Sequence, residues 1–96
     1  MKPEPDQECL LCGTMSPCRK TDAGNAQFFD CANRDCGPVE IFLGAASRLY
    51  GTRTMIHLML SKEAQKARTG NMVLRIRVDP ATNNLRSEAV RRGDVK

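Results

Sequence analysis

The sequence is short of large side chains and of long hydrophobic runs. It has no Trp, one Tyr and three Phe, and aromatic residues make up only 4% of its 96 residues. A chain of this size buries little area, so packing alone is a weak source of stability. No apolar run approaches the ~20 residues that a transmembrane helix needs. Residues 1–8 also lack the apolar segment of a secretory signal. We therefore expect a cytoplasmic protein with no membrane partner.

Cysteine, in contrast, is abundant, and all five cysteines lie in the first 36 positions. An odd number without a secretory signal argues against disulfides, because the cytosol keeps thiols reduced. Cys9 and Cys12 form a C-x-x-C-G turn, and Cys31 and Cys36 form a longer turn that glycine also follows. The 18 residues between the turns suffice for two short strands and a hairpin. This spacing predicts one structural Zn²⁺ bound by Cys9, Cys12, Cys31 and Cys36.

The residues around these cysteines fit the same interpretation. Gly13 and Gly37 can each take a positive φ, which would turn backbone N–H groups toward sulfur. Asn33 lies inside the longer turn, where its side chain can cap the loop by bonding to nearby backbone.

Two further residues offer metal-binding or redox chemistry. We expect Cys18 to be a small buried hydrophobe on the first strand. The alternatives are that it replaces Cys9 or Cys12 at the metal, or that it is the spare thiol of a redox protein. His57, the only histidine, lies in a helical pattern, and we expect a surface or flanking position rather than a ligand. Iron in a rubredoxin-like site is an alternative to zinc.

The periodicity predicts a small α+β fold. An N-terminal three-stranded antiparallel zinc ribbon is followed by a short helix, a longer helix and a C-terminal strand. The strands are expected at 14–20, 27–30, 39–43 and 72–78, and the helices at 45–50 and 52–69. We divide the chain into a flexible lead-in (1–8), the ribbon (9–43), a helix-helix-strand segment packed on it (44–84) and a tail (85–96). The tail is ambiguous between strand, helix and frayed chain.

The longer helix is predicted to begin at a Thr52 cap and to stop at Gly70-Asn71. Its apolar stripe is expected in the core, the two methionines included; the stripe comprises Met55, Ile56, Met59, Leu60, Ala64 and Ala67. The following strand alternates between apolar residues and Arg75 and Arg77, which indicates a half-buried strand with a basic outer face.

Charge is unevenly distributed along the chain. Residues 1–43 hold four basic and seven acidic residues, and the remainder holds 11 basic and four acidic residues. An acidic ribbon suits phosphate poorly, so any nucleic-acid contact is expected in the C-terminal half. The residues predicted to bind nucleic acid or another partner are Lys62, Lys66, Arg68, Arg75 and Arg77. The alternative is a solvated basic face with no partner.

From Cys9 to about Tyr50 the chain resembles the zinc-ribbon activators of late transcription in tailed phages, the Ogr/Delta family. The matching elements are the Cys9/Cys12 pair and the loop from Cys31 through Asn33 to Cys36, preceded by an aromatic-containing strand. The resemblance implies that the four cysteines are metal ligands and that the protein contacts DNA or the transcription apparatus. The same residues are also similar to zinc-ribbon modules of uncharacterised bacterial and phage proteins.

Two functions are consistent with these patterns. The first is a zinc-stabilised, non-enzymatic adaptor that binds nucleic acid or a nucleoprotein complex. The alternative is a protein-only interaction module, such as a small inhibitor or assembly factor, because few aromatic rings are present to stack on single strands. An enzyme is not expected, since four thiolates leave no open position on zinc for water. No small-molecule substrate is expected.

Overall fold

In the computed structural model, which describes residues 6–96, six strands form one mixed β-sheet in chain order. The strands are β1 (Asp6–Glu8), β2 (Met15–Thr21), β3 (Ala26–Phe29), β4 (Val39–Phe42), β5 (Met72–Val78) and β6 (Leu85–Arg91). All neighbours are antiparallel except β4 and β5, which are parallel. The crossover that a parallel pair requires contains the helices α1 (Leu43–Leu49) and α2 (Met55–Thr69).

The prediction of a separate three-stranded ribbon followed by helices and a lone strand is wrong. Strands β2, β3 and β4 do form an antiparallel ribbon, but β4 also pairs in parallel with β5, Val39 opposite Leu74 and Ile41 opposite Ile76. Strands β3 and β5 flank β4 on its two edges, and its residues Val39 and Ile41 are fully buried. Because β4 is paired with a strand on each of its two edges, the ribbon and the C-terminal half share one sheet.

The ends of the chain extend this sheet. The predicted lead-in of residues 1–8 falls partly outside the described residues, and Asp6–Glu8 pairs with β2. The C-terminal tail, left open by the sequence, forms β6 against β5 and then a 3₁₀ turn at Arg92–Asp94. No helix within residues 6–96 is long and apolar enough to cross a membrane.

Helix α2 begins later than predicted, with Thr54 rather than Thr52 as its N-cap. His57 helps to fix this start, because its Nδ1 accepts a hydrogen bond from the Thr54 N–H at 3.0 Å. Histidine therefore does what Glu or Gln does in a capping box. The helix stops where expected, but the residue in the left-handed conformation is Asn71, with φ of 58°.

One face of the sheet packs against both helices and carries the main core. Its central strands contribute Ile41, Leu74 and Ile76, and the helices contribute mainly small or aliphatic residues. The buried residues from the helices are Ala45, Ala46, Leu49, Leu60, Ala64 and Ala67. The expectation that Met55, Ile56 and Met59 belong to this core is wrong, as they are 70%, 53% and 60% exposed. Only the C-terminal part of the predicted stripe faces the sheet.

The opposite face of the sheet holds a second, smaller core around a buried ion pair. Phe28, Val73 and Val95 pack together there. Glu40 is 1% exposed, and its carboxylate accepts hydrogen bonds from Thr21 Oγ1 at 2.7 Å and from Arg75 Nε at 2.6 Å. The C-terminal residues cross this face, which we call the strap face.

Candidate metal centre

The first cysteine loop, residues 9–14, lies between β1 and β2. Cys9 N–H donates to the Thr14 carbonyl at 2.9 Å, and Gly13 N–H donates to the Cys9 carbonyl at 2.8 Å. Gly13 has a φ of 80°, as predicted, which a side chain would strain. These bonds close a tight turn that brings Cys9 and Cys12 to the same side of the loop.

The second cysteine loop, residues 30–38, connects β3 to β4. Asn33 organises it: the Asp35 N–H donates to Asn33 Oδ1 at 2.9 Å, and the Cys36 N–H donates to the Asn33 carbonyl at 3.0 Å. The predicted capping role of Asn33 is confirmed. Its side-chain amide also donates to Thr14 Oγ1 at 3.0 Å, which joins the two loops directly.

The four predicted ligands converge on one point. All four sulfur atoms lie within 4.8 Å of one another. Cys9 Sγ is 4.0 Å from Cys36 Sγ, and Cys12 Sγ is 3.4 Å from Cys31 Sγ. These separations far exceed a disulfide bond of ~2 Å. They bracket the ~3.8 Å edge of a tetrahedron with ~2.3 Å metal–sulfur bonds. The cysteines are therefore arranged to hold a metal ion, and the geometry is compatible with zinc.

The thiols differ in environment. The hydrogen bond with Cys36, followed by burial, raises the pKa of Cys9 far above its ordinary value. Burial raises the pKa of Cys31 to about 11. Burial acts in the same direction on partly buried Cys12, but hydrogen bonds with Thr14, Cys31 and Cys9 outweigh it and lower that pKa to about 7. Metal binding at neutral pH must therefore displace protons from Cys9 and Cys31.

Helix α2 holds the second loop in place. Arg68 Nη2 donates to the carbonyls of Cys31 at 2.5 Å and Asn33 at 2.8 Å. Gln65 Nε2 donates to the carbonyl of Arg34 at 2.8 Å. Side-chain hydrogen bonds from α2 thus fix the position of the second cysteine loop.

Gly37, which follows Cys36, is required for a reason other than the predicted positive φ. Among the described residues, the positive-φ glycines are Gly13, Gly24 and Gly51, so the expectation for Gly37 is wrong. A Cβ on Gly37 would overlap the carbonyl oxygen of Ala64. Glycine is required here because the loop backbone lies directly against the backbone of α2.

Cys18 and His57 lie outside the four-sulfur cluster. Cys18 is a buried member of the main core on β2, as predicted. His57 is 4% exposed, so the expected surface or flanking position is wrong. Its Nε2 lies 2.8 Å from the Leu49 carbonyl. With Nδ1 accepting from Thr54, His57 joins the end of α1 to the start of α2.

The five basic residues predicted to bind a partner do not form one surface. Arg68 holds the second cysteine loop. Arg75 bonds Glu40 and also donates to the Asp94 carbonyl at 2.9 Å. Arg77 lies 3.6 Å from Glu88 on the strap face, and this pair is half exposed. Lys62 and Lys66 are exposed on α2.

The feature that sequence reasoning missed is an exposed apolar surface beside the metal centre. It comprises Met55, Ile56, Leu58 and Met59 on α2 and Tyr50 just after α1, each at least half exposed. A signal was present in the sequence, since Met55 and Met59 share a helical face with Lys62 and Lys66 at spacings of four, three and four. A face that ends in two lysines points to solvent rather than to the core.

No known protein family, curated protein or solved structure matches this chain. The resemblance to the Ogr/Delta activators therefore gains no support from these comparisons. The four-cysteine cluster itself supports the more general interpretation of a metal-binding module.

Proposed function

We propose that this protein is a non-enzymatic adaptor, folded around one structural Zn²⁺, that binds a protein partner through the exposed surface of α2. One observation carries the proposal: α2 presents an apolar surface to solvent while its other sides are fixed to the sheet and to the second cysteine loop. Exposed apolar patches on folded proteins commonly mark interaction sites. This is the protein-only interpretation of the sequence.

The chemistry of the ligand set supports zinc. Four thiolates at tetrahedral separations suit Zn²⁺, and iron–sulfur proteins use the same donors. Elemental analysis of protein purified under reducing conditions separates the two metals. We expect one zinc per chain; one iron with visible absorption would contradict this assignment.

A structural role follows from the coordination. Four thiolates fill a tetrahedral site, and catalytic zinc keeps one position for water or substrate. Buried Cys9, Cys31 and Cys36 also restrict access to the metal. We assign the protein to the cytoplasm because its thiols must stay reduced to bind metal.

The test is affinity capture from a nuclease-treated cell lysate. We expect the zinc-loaded wild type to retain a defined protein, and the Cys12→Ser variant to lose it because α2 is anchored through the metal loops. Retention that disappears on nuclease treatment would contradict a protein partner.

Nucleic-acid binding is the second candidate, and a transcription-related role belongs to it. The observation in its favour is that Lys62 and Lys66 are exposed one turn apart on α2, where both could contact a phosphate backbone. Binding to duplex and single-stranded DNA and RNA at several salt concentrations tests it. Phosphate contacts predict a steep loss of affinity with salt, and binding that does not change with salt would exclude them.

A further inference from the structure

The exposed apolar surface of α2 continues into a groove. The groove has a volume of about 600 Å³ and runs between α2, the end of α1 and the start of β6. We call it the α2 groove; its apolar lining is Leu49, Tyr50, Ile56, Met59, Leu60 and Leu85. Tyr50, Ile56 and Met59 are more than half exposed, so the lining is open to a docking side chain.

We propose that the α2 groove binds an acidic amphipathic helix of a partner protein. This inference rests on the proposed function, because it names the partner of the same surface. Helices bind such grooves by inserting apolar residues spaced three and four apart. Methionine is well suited to the groove because its flexible, polarisable side chain adapts to the inserted residue.

Charge favours an acidic occupant. Lys62 and Lys66 continue the exposed face of α2 beyond Met59, and Arg48 lines the groove, where both of its Nη atoms donate to Asn83. The acidic residue on the rim is Glu63, whose carboxylate oxygens accept hydrogen bonds from Ser87 Oγ at 3.2 Å. Arg48 and Glu63 balance each other within the groove lining, so the positive charge beside it comes from Lys62 and Lys66. It attracts an acidic helix and disfavours a second copy of this basic chain, whose formal net charge is +4 and falls to about +2 when four thiolates bind Zn²⁺.

The groove and the lysines beyond it together set the size of the partner segment, because α2 lines the groove only as far as Glu63 and Lys66 lies further along the helix. Helix α2 has 15 residues, which corresponds to ~22 Å at 1.5 Å per residue. A docking helix of about four turns would lie along it, with apolar residues toward Tyr50 and Met59 and acidic residues toward Lys62 and Lys66.

The probes are three synthetic 15-residue peptides, matched to α2 in length. Two share one Leu/Met face at helical spacing and carry either Glu or Lys at all other positions. The third is a scrambled version of the Glu peptide. Binding to zinc-loaded protein is measured by fluorescence anisotropy, and the contact surface by amide chemical shifts. We expect the Glu peptide to bind at least about tenfold more tightly than the others, with shifts centred on Ile56 and Met59.

Matched variants locate the site. Met59→Glu places a charge in the groove at a 60% exposed position. Leu43→Glu is the control, because it places the same charge at a 53% exposed apolar position on α1 that does not line the groove. Both should keep the zinc content and helix signal of the wild type. We expect Met59→Glu to weaken Glu-peptide binding about tenfold or more and Leu43→Glu to leave it unchanged. The Lys62→Glu/Lys66→Glu double variant should reverse the preference toward the Lys peptide.

Several results would overturn the inference. They are equal binding of the Glu and Lys peptides, no peptide binding, or binding that Met59→Glu leaves intact. Dimerisation of the wild type that Met59→Glu abolishes would assign the groove to a second copy. Binding to phosphatidylglycerol vesicles but not to peptides would assign it to a membrane. The lysate experiment keeps the two proposals apart: a protein that the wild type retains and Met59→Glu loses, with no binding of the Glu peptide, supports the proposed function and contradicts an acidic helix as the occupant of the groove.

Discussion

The two faces of the sheet are closed by different means. On the helix face, buried residues of the strands and of α1 and α2 form the main core, with the four-cysteine cluster at one end. On the strap face, the chain closes a smaller core with a buried carboxylate, an arginine and its own C-terminal residues. The first face carries four sulfurs arranged to hold a metal ion, whereas the second contains both charges of its ion pair.

The difference indicates which contacts depend on the metal. Arg68 and Gly37 join α2 to the second cysteine loop, so the helix face is connected to the metal centre. Glu40 and Arg75 pair across neighbouring strands, and Val95 covers the same face from the C-terminus. We therefore expect changes at the cysteines or at the contacts between α2 and the second cysteine loop to alter zinc affinity, and changes on the strap face to alter stability while zinc affinity stays the same.

The largest effect is expected from Cys31→Ser on the helix face. Zinc binding contributes ~10–16 kcal/mol in small zinc-dependent domains, which is as large as the ~5–15 kcal/mol total stability of a typical domain. Loss of one ligand should therefore remove the zinc and the cooperative thermal transition. Metal analysis and amide NMR dispersion measure these two outcomes.

Cys18→Ala provides the control for this variant. Cys18 is a buried cysteine of the same core but lies outside the four-sulfur cluster. We expect it to retain one zinc per chain and a cooperative transition. Equal loss of zinc in both variants would contradict the assignment of the ligands, and a Cys31→Ser protein that melts like the wild type would contradict the structural role of the metal.

The next largest effect is expected on the strap face, from Glu40→Gln. This change keeps the side-chain volume but leaves Arg75, whose side chain is only 22% exposed, without its ion-pair partner. Breaking such a pair should cost about 2–3 kcal/mol, slightly less than a fully buried pair. Denaturant unfolding measures the loss, and zinc titration of the folded protein should give the wild-type affinity.

A surface pair between β5 and β6 provides the comparison for Glu40→Gln. Arg77 and Glu88 are both about half exposed, and Arg77→Gln should cost less than about 0.5 kcal/mol. If both variants lower the free energy of unfolding by the same amount, the buried pair has no special role in stabilising the strap face.

The fold was partly predictable because its local patterns are strong. Alternation of Leu74, Ile76 and Val78 located β5, and glycine and asparagine located the end of α2. The pairing of β4 with β5 was not predictable from such patterns, since the alternation of Val39, Ile41 and Leu43 fits a ribbon edge as well as a central strand. Strand neighbours depend on contacts between distant residues, which local periodicity does not encode.

The candidate site was also only partly predictable from the sequence. Ligand spacing and glycine identified the four cysteines, because a metal imposes fixed geometry on short loops. The sequence did not reveal that Arg68 and Arg75 bond to the protein itself, since an arginine pattern is the same whether its partner is a carbonyl, a carboxylate or a phosphate. The exposure of Met55 and Met59 was missed for a similar reason: apolar spacing alone does not say which face of a helix meets the sheet.

Gly37→Ala tests the close contact between the second cysteine loop and α2. The added Cβ meets the Ala64 carbonyl oxygen, which is backbone and cannot rotate away. We expect a loss of about 2 kcal/mol, within the range for overpacked cores. Because the loop must shift, zinc affinity should fall as well, which competition with a chromophoric chelator measures.

Gly44→Ala is the matched control for this contact. Gly44 lies in α1, where a Cβ would make only an ordinary contact of 3.7 Å with Val78. Alanine is the better helix former by up to ~1 kcal/mol, so this variant should be neutral or more stable. Equal losses at Gly37 and Gly44 would contradict the close approach of the loop to α2.

Apart from the control variants, the smallest effect is expected from Val95→Ala in the C-terminal residues. Val95 is 5% exposed against Phe28 and Val73, and two methyl groups removed from a small core should cost about 1–2 kcal/mol. Arg75 and Arg19 donate to the Asp94 and Val95 carbonyls whatever the side chain at 95, so the C-terminal residues should stay in place. Denaturant unfolding with zinc titration measures both quantities. A fall in zinc affinity as large as that of Gly37→Ala would mean that the two faces respond as one unit, and the distinction between them would not hold.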